Sequence, residues 1–329
     1  MVDSYEEKVR KFREQQAAKP KPALHVVGPA GAVKPERTLA DAVQSGMAHL
    51  AKGPPVNPVL TGFRDFDLRI TPLEPKQLTI LGADQGSGKS TAALQITLRA
   101  AAKGHSVVYL NLEMPEESLG IRTVANYAQV PTGRVFRGEA GQDEWTRITN
   151  AAKEIWGPSH RIALGNRSDH AEAGAAARFC AQARETAAKR GEPLALIVVD
   201  HALMLSMPGN HRDVDSAGKA RADWLKNLAE ANNCHVLALL HITRAAATQG
   251  SMPSLNQLAS SAWFARHADN VWILHTPRGP DHTFTGAPTK LACQKGRYGD
   301  TPVVELEYRC GVLWPWTLYD TDDGGGRRL

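Results

Sequence analysis

Cysteine is scarce: four in 329 residues, at Cys180, Cys234, Cys293 and Cys310, with no C-x-x-C pair and no Cys/His ligand spacing among them. That pattern excludes a zinc framework or a disulfide scaffold and fits a reducing cytoplasm. Long apolar runs are missing too. None approaches the roughly 18 residues that cross a bilayer, and the charged stretch 1–13 has no apolar signal core, so no membrane partner is expected. Charge of one sign is only mildly in excess, +5, with Lys and Arg scattered instead of clustered. Such a balance permits a nucleic-acid partner without establishing one. No segment repeats at a fixed period. What is present is 42% hydrophobic residues, enough for the core of one large domain with extensions.

The most informative stretch runs Thr79-Ile-Leu-Gly-Ala-Asp-Gln-Gly-Ser-Gly-Lys-Ser-Thr91. A glycine-rich turn ending in Gly88-Lys89-Ser90 sits between an apolar run and a helix-forming run, which describes a phosphate-binding loop. Only glycine lets successive backbone amides curl closely round phosphate oxygens, and the helix start adds its positive end. The nucleotide-contacting set is then Ala83, Asp84, Gln85, Gly86, Ser87, Gly88, Lys89, Ser90 and Thr91. Lys89 is expected to reach the β- and γ-phosphates and Ser90 to hold Mg²⁺, so ATP and Mg²⁺ are the expected ligands. The strict G-x-x-x-x-G-K-[ST] pattern is broken at its first position, Ala83, with Gly82 one residue earlier.

Residues 1–37 read as an extension without stable structure, because charged residues give way to a Pro/Gly/Ala-rich stretch. Leu39, Val43, Met47 and Leu50 then recur at helical spacing up to Gly53-Pro54-Pro55. The spacing predicts a short amphipathic linker helix within 38–57. Its apolar stripe could lie on its own domain or on a neighbour. From about 58 to 318 strands and helices alternate. Strands are expected at 78–81, 106–112, 161–164, 194–199, 235–241 and 271–275, several of them continuous apolar runs suited to parallel strands buried on both faces. Segments 289–294, 302–308 and 312–316 come without intervening helices and read as antiparallel hairpins at the sheet's edge. The fold class is therefore α/β, a mainly parallel central sheet flanked by helices, followed by a frayed tail, 319–329.

Two carboxylates stand where nucleotide chemistry needs them. Leu194-Ala-Leu-Ile-Val-Val-Asp200 is an apolar strand ending in Asp200, placed to bind Mg²⁺ directly or through a water shared with Ser90. The strand Val107-Val-Tyr-Leu-Asn-Leu-Glu-Met-Pro115 delivers Glu113, a candidate for polarising the attacking water. Spacing alone leaves Glu113 equally suited to being an acidic residue in the first turn of the next helix.

Taken in order, Thr61-Gly-Phe-Arg-Asp-Phe-Asp67, the phosphate loop, Leu112-Glu-Met-Pro-Glu-Glu-Ser-Leu119, Leu196-Ile-Val-Val-Asp200 and Lys295-Gly-Arg297 resemble the RecA-like motor domain of the DnaB-type replicative DNA helicases. In that family an alanine or glycine opens the phosphate loop, so Ala83 agrees. The resemblance implies a RecA-like P-loop ATPase fold over about 58–318. It implies catalytic roles for Glu113 and for the basic pair Lys295 and Arg297, which would reach a neighbouring subunit's ATP, and a γ-phosphate-sensing role at His241. A homo-oligomer, a hexameric ring acting on single-stranded DNA and replication forks, follows from it. So do a primase or loader as partner and a bacterial or phage-infected cytoplasm.

Departures from the family pattern are equally legible. His241 stands where a glutamine is usual; a histidine can still donate to phosphate, or it could be an ordinary hydrogen-bonded residue at a strand end. In the DNA-binding segment 244–267, Ala259 and Ser260 replace an arginine and a glutamate, which leaves Arg244 and the backbone near Ser260, Ser261 and Ala262 as the expected grip on phosphates. Trp263 and Phe264 could stack on bases or belong to the core. Arg212 marks the other expected pore loop, 208–218. Residues 1–37 are too few for the family's separate N-terminal helical domain, so a compact form is expected. A RecA- or clock-type ATPase, or a non-unwinding replication accessory protein, would use the same nucleotide motifs. The 112–119 run and Lys295-x-Arg297 favour the helicase.

Overall fold

Segments that are apolar at every position need cover on both faces, and the computed structural model supplies it. The described residues are 38–318 except 52, 54, 56, 210–212, 243–251, 258–260 and 278–285. The extension 1–37, the tail 319–329, Arg212, Arg244, Ala259 and Ser260 thus lie outside them. The chain divides into a smaller unit reaching to Pro58 and a larger one beginning at Val59.

In the smaller unit, α1 (Leu39–Ala51) is preceded by Thr38. The Thr38 hydroxyl accepts from the Asp41 amide at 3.2 Å while the Asp41 carboxylate accepts from the Thr38 amide at 2.7 Å. This reciprocal cap satisfies amides that no helix carbonyl can reach. The stripe Leu39, Val43, Met47 and Leu50 is exposed.

The larger unit is built on nine strands: β1 (Leu78–Ala83), β2 (Ser106–Asn111), β3 (Ile162–Asn166), β4 (Leu194–Asp200), β5 (His235–His241), β6 (Asn270–His275), β7 (Thr289–Gly296), β8 (Val303–Arg309) and β9 (Val312–Trp314). They join in one sheet in the order β3-β2-β4-β5-β1-β6-β7-β8-β9. The first six are parallel and the last three antiparallel, as the loss of intervening helices predicts. α2 (Arg64–Asp67) precedes the first strand, and between the strands run α3 (Lys89–Ala102), α4 (Glu116–Tyr127), α5 (Thr132–Phe136), α6 (Gln142–Ser159), α7 (Arg167–His170), α8 (Ala173–Lys189), α9 (Val214–Asn232) and α10 (Ser261–His267).

Alternation along each strand splits the core in two. Leu81, Tyr109, Val198, Leu239 and Trp272 pack with α3, α4 and α6 on one face. Ile80, Val108, Val199, Ala238 and Ile273 pack with α8, α9 and α10 on the other. The last strand is shorter than expected. It stops at Trp314 before Pro315, which has no amide to continue the ladder, and Trp316 turns into the core with its indole N–H donating to the Thr61 carbonyl at 3.1 Å. Gln95 pairs with both backbone groups of Leu313 at 3.0 Å, so α3 is covered on its outer side as well. The Thr61–Asp67 motif is structural. Buried Asp67 accepts from the Thr61 amide, the Thr61 hydroxyl and the Gly62 amide at 2.9, 2.7 and 2.8 Å, and Phe63 and Phe66 fill the core beside it.

Candidate active site

Strand order and register decide what meets at the carboxyl edge of the sheet. Ala83 is paired with His241 and Asn111 with Asp200, and β4 lies against β5. The ends of β1, β5, β4 and β2 therefore stand side by side. The phosphate loop leaves β1 at Ala83, turns through Gly86 (φ 75°) and Gly88 (φ 88°), and enters α3 with Gly88 in the left-handed region that favours glycine. A Cβ at Gly88 would also come within 3.0 Å of the Tyr308 ring on β8. The Thr276 hydroxyl, just past β6, supports the loop by donating to the Ser87 carbonyl at 3.3 Å. Asp84 and Gln85 form the loop's outer turn, with the Asp84 carboxylate accepting from the Gln85 amide at 2.7 Å, and Thr91 is buried in the first turn of α3.

Lys89 opens α3 and is only 6% exposed. Its ammonium lies 3.2 Å from His241 Nδ1. An ammonium can only donate, so Nδ1 accepts and the ring proton sits on Nε2, which leaves one N–H to offer. Burial lowers the pKa of Lys89, and the charges of Asp200, Glu113 and Asp84 pull it back up. His241 is lowered as well, by burial first and then by Lys89, with Asp200 and Asp84 opposing. The ring is thereby kept neutral.

Asp200 is fully buried. Burial raises its pKa, while the hydroxyls of Ser90 and Tyr109 and the charge of Lys89 hold it down. The Tyr109 hydroxyl donates to Asp200 Oδ2 at 2.8 Å. Asp200 Oδ1 and Ser87 Oγ are both buried and have no protein partner among the described residues. A carboxylate oxygen with an open lone pair on the residue that meets the Ser90 hydroxyl fits Mg²⁺, a hard cation that prefers oxygen ligands and shares its shell with phosphate. No cluster of three His, Cys, Asp or Glu side chains able to cage a metal occurs among the described residues.

Glu113 follows the end of β2 and is exposed. The first turn of α4 takes its acidic residues from Glu116 and Glu117, so Glu113 stands outside that helix, near enough to Lys89 to act on its charge. Sequence reasoning missed two residues here. Tyr109 is a phenol inside an apolar strand. His201 follows Asp200, is 1% exposed, and lies with its ring centroid 4.2 Å from that of His241. Burial, then Lys89 and His241, push the His201 pKa down to about 3. A polar residue interrupting an apolar run was the available signal in both cases.

Lys295 and Arg297 are elsewhere. Residues 295 and 296 of β7 pair with Val271 and Asn270, at the start of β6, so both side chains belong to the edge of the sheet opposite the phosphate loop. Neither is a free hairpin cation. Lys295 Nζ donates to the carbonyls of Ala265 and Ala268 at 2.8 and 2.6 Å, closing the end of α10. Arg297 donates to Asp269 Oδ1 at 2.7 Å, while Lys226 and the Leu78 amide hold Oδ2 of the same buried carboxylate at 2.7 and 2.9 Å. Ser261 and Ala262 lie in the first turn of α10. Phe264 is buried in the core. The Trp263 indole N–H donates to Asp215 at 2.8 Å, with Lys219 and Arg266 5.7 and 5.1 Å from its ring centroid.

Residues 58–312 match the family described as DnaB-like helicase C terminal domain. Among curated proteins, the replicative DNA helicase DnaB of Haemophilus influenzae is 27% identical over 225 residues, 67% of this chain and 46% of that one. The replicative DNA helicase DnaB of Leifsonia xyli is 26% identical over 260 residues, 76% of this chain and 54% of that one. The chain thus spans about half the length of the curated relatives it matches. A solved ATPase domain superposes with a TM-score of 0.71 at 17% identity, covering 85% of this chain and 99% of the other. A DnaB-like replicative helicase studied for its interactions with primase gives a TM-score of 0.70 at 17% identity over 94% of this chain and 71% of the other.

Proposed function

Because the chain belongs to the DnaB-like helicase C-terminal domain family, we propose that it is the ATP-hydrolysing motor of a ring-forming, hexameric DNA helicase that moves on single-stranded DNA and opens replication forks. Its fold is the RecA-like P-loop ATPase fold. The observation that carries the reading is the convergence of Lys89, Ser90, Asp200 and His241 at neighbouring strand and helix ends under one glycine-rich loop.

On this reading Lys89 leaves His241 for the β- and γ-phosphate oxygens of ATP, replacing one buried partner by a stronger, charged one. Ser90 and Asp200 would hold Mg²⁺, and the ion would supply positive charge that offsets the charge of the phosphates. Glu113 orients the attacking water. His241, relieved of Lys89, offers its Nε2–H to the γ-phosphate. Burial raises the pKa of Asp200, and the hydroxyls of Ser90 and Tyr109 oppose that shift by favouring the ionised form. Lys295 and Arg297 lie toward the edge of the sheet opposite the phosphate loop, and their side chains are held there by the Ala265 and Ala268 carbonyls and by Asp269, away from their own chain's loop. They would act on a neighbour's ATP, and the exposed stripe of α1 would dock on a neighbouring subunit. Single-stranded DNA would meet the segments 208–218 and 244–267. A primase or loader is the expected partner. Among the described residues no helix is long and apolar enough to cross a membrane.

Nucleotide binding and ATPase assays on two variants test the site. Lys89→Ala should lose ATP binding. Glu113→Gln should bind ATP normally and lose at least roughly a hundred-fold in turnover, because it acts on the water alone. Wild-type turnover in Glu113→Gln would refute its assignment.

A further inference from the structure

An imidazole with both ring nitrogens buried and unpartnered is an unfavourable thing to keep in a core. His201 is such a residue. It is 1% exposed, and among the described residues neither Nδ1 nor Nε2 has a hydrogen-bond partner. A phenylalanine would fill a similar space without the desolvation cost. The ring lies between two parts of the nucleotide site. Along the chain it follows Asp200. In space it packs at 4.2 Å and 47° against His241, whose Nδ1 faces the Lys89 ammonium at 3.2 Å. Beyond His201 the chain makes a single turn, Ala202–Met204, whose first amide-to-carbonyl link, Met204 to His201, is 2.9 Å. His201 is thus a contact through which the end of β4 touches the end of β5.

We propose that His201 is a positioning residue of this nucleotide site: its ring sets the orientation of His241, and its two unpartnered nitrogens exchange hydrogen bonds with water that a bound triphosphate brings into the site. The inference rests on the nucleotide reading given above. The tilted ring packed against it stops His241 from turning its Nε2–H away when Lys89 departs. The orphaned nitrogens favour the filled site over the empty one, since only the filled site satisfies them.

The test replaces the ring's polarity while keeping its bulk. In His201→Phe, the unliganded protein should melt about 2–4 °C higher, since a buried unsatisfied group has gone. Affinity for ATP, measured with a fluorescent analogue, should fall about five-fold, the counterpart of the stability gained by the empty site, because the variant gains no hydrogen bonds when the site fills. The kcat should fall roughly ten-fold or more, as for other residues that orient a contacting group. His201→Asn, which keeps a polar atom near Nδ1, should recover part of the lost kcat. His201→Leu repeats the first measurement with less bulk. Wild-type ATP turnover tests the nucleotide reading by itself; the ratio of variant to wild type tests this one. Unchanged kcat in both the Phe and Leu variants would overturn the proposal. So would a fall in kcat that came only with a lower melting temperature in both, which would mark His201 as simple packing.

Discussion

Lys89 illustrates how residue-scale physics shapes this site. Its ammonium is buried beside a neutral histidine instead of a carboxylate, so the resting protein holds the charge with a weak partner that phosphate can displace. Tyr109 performs the complementary task by donating to buried Asp200 and opposing the burial that raises its pKa. Tyr109→Phe should therefore cost about 1–2 kcal/mol of stability in urea unfolding and raise the Mg²⁺ concentration needed for half-maximal ATPase activity, because a buried carboxylate loses a donor. An unchanged Mg²⁺ dependence would show that the hydroxyl does not tune Asp200. A second residue-scale prediction concerns His235, buried with Nδ1 on the Glu74 carbonyl and Nε2 on the Thr79 hydroxyl, both at 2.8 Å. Burial holds its pKa at about 4 against an ordinary 6.5, with the Glu74 carbonyl and nearby Asp269 opposing and Lys226 assisting. The folded state thus binds fewer protons than the unfolded state between those values. Its contribution is complete above the ordinary value and lost as pH falls toward the folded one, about 3 kcal/mol in all. Unfolding free energies at about pH 7 and about pH 5 should diverge more for the wild type than for His235→Gln; equal divergence would exclude the histidine as the cause.

At the scale of elements, the parallel strands were legible because burial on both faces leaves continuous apolar runs. The phosphate loop was legible because only one arrangement explains Gly88-Lys89-Ser90 between a strand and a helix. The opposite placement of Lys295 and Arg297 was not legible, since it depends on the antiparallel register of β7 against β6, and register is a pairing property that no single segment carries. His201 escaped for a related reason: its neighbour in space, His241, stands at the end of a different strand. The shortened β9 follows from Pro315, a local signal that the apolar run outweighed. These positions make a divided prediction for Arg297→Ala. Asp269 keeps Lys226 and the Leu78 amide, so thermal unfolding should show a loss of only about 1–2 kcal/mol. ATP affinity should be unchanged, because the site is at the other edge. A loss of ATP affinity in the isolated subunit would contradict the sheet geometry described above.

At the scale of the whole molecule, the proposed function needs two chains to complete a site, because Lys295 and Arg297 lie at the edge of the sheet opposite the phosphate loop. Turnover should then rise more steeply than linearly with protein concentration in the dilute range. Mixing gives the sharper form. Arg297→Ala subunits should bind ATP yet hydrolyse it poorly, and adding Lys89→Ala subunits should restore some activity, since each variant supplies what the other lacks. No rescue in demonstrated mixed assemblies would mean that the basic pair does not act across subunits. The central claim is that this chemistry separates DNA strands, and strand displacement from a forked duplex measures that most directly. With ATP and Mg²⁺ the wild-type protein should release the displaced strand, while Glu113→Gln, bound to the same fork, should release none. Wild-type protein that binds the fork and hydrolyses ATP on single-stranded DNA, yet releases no strand, would contradict it.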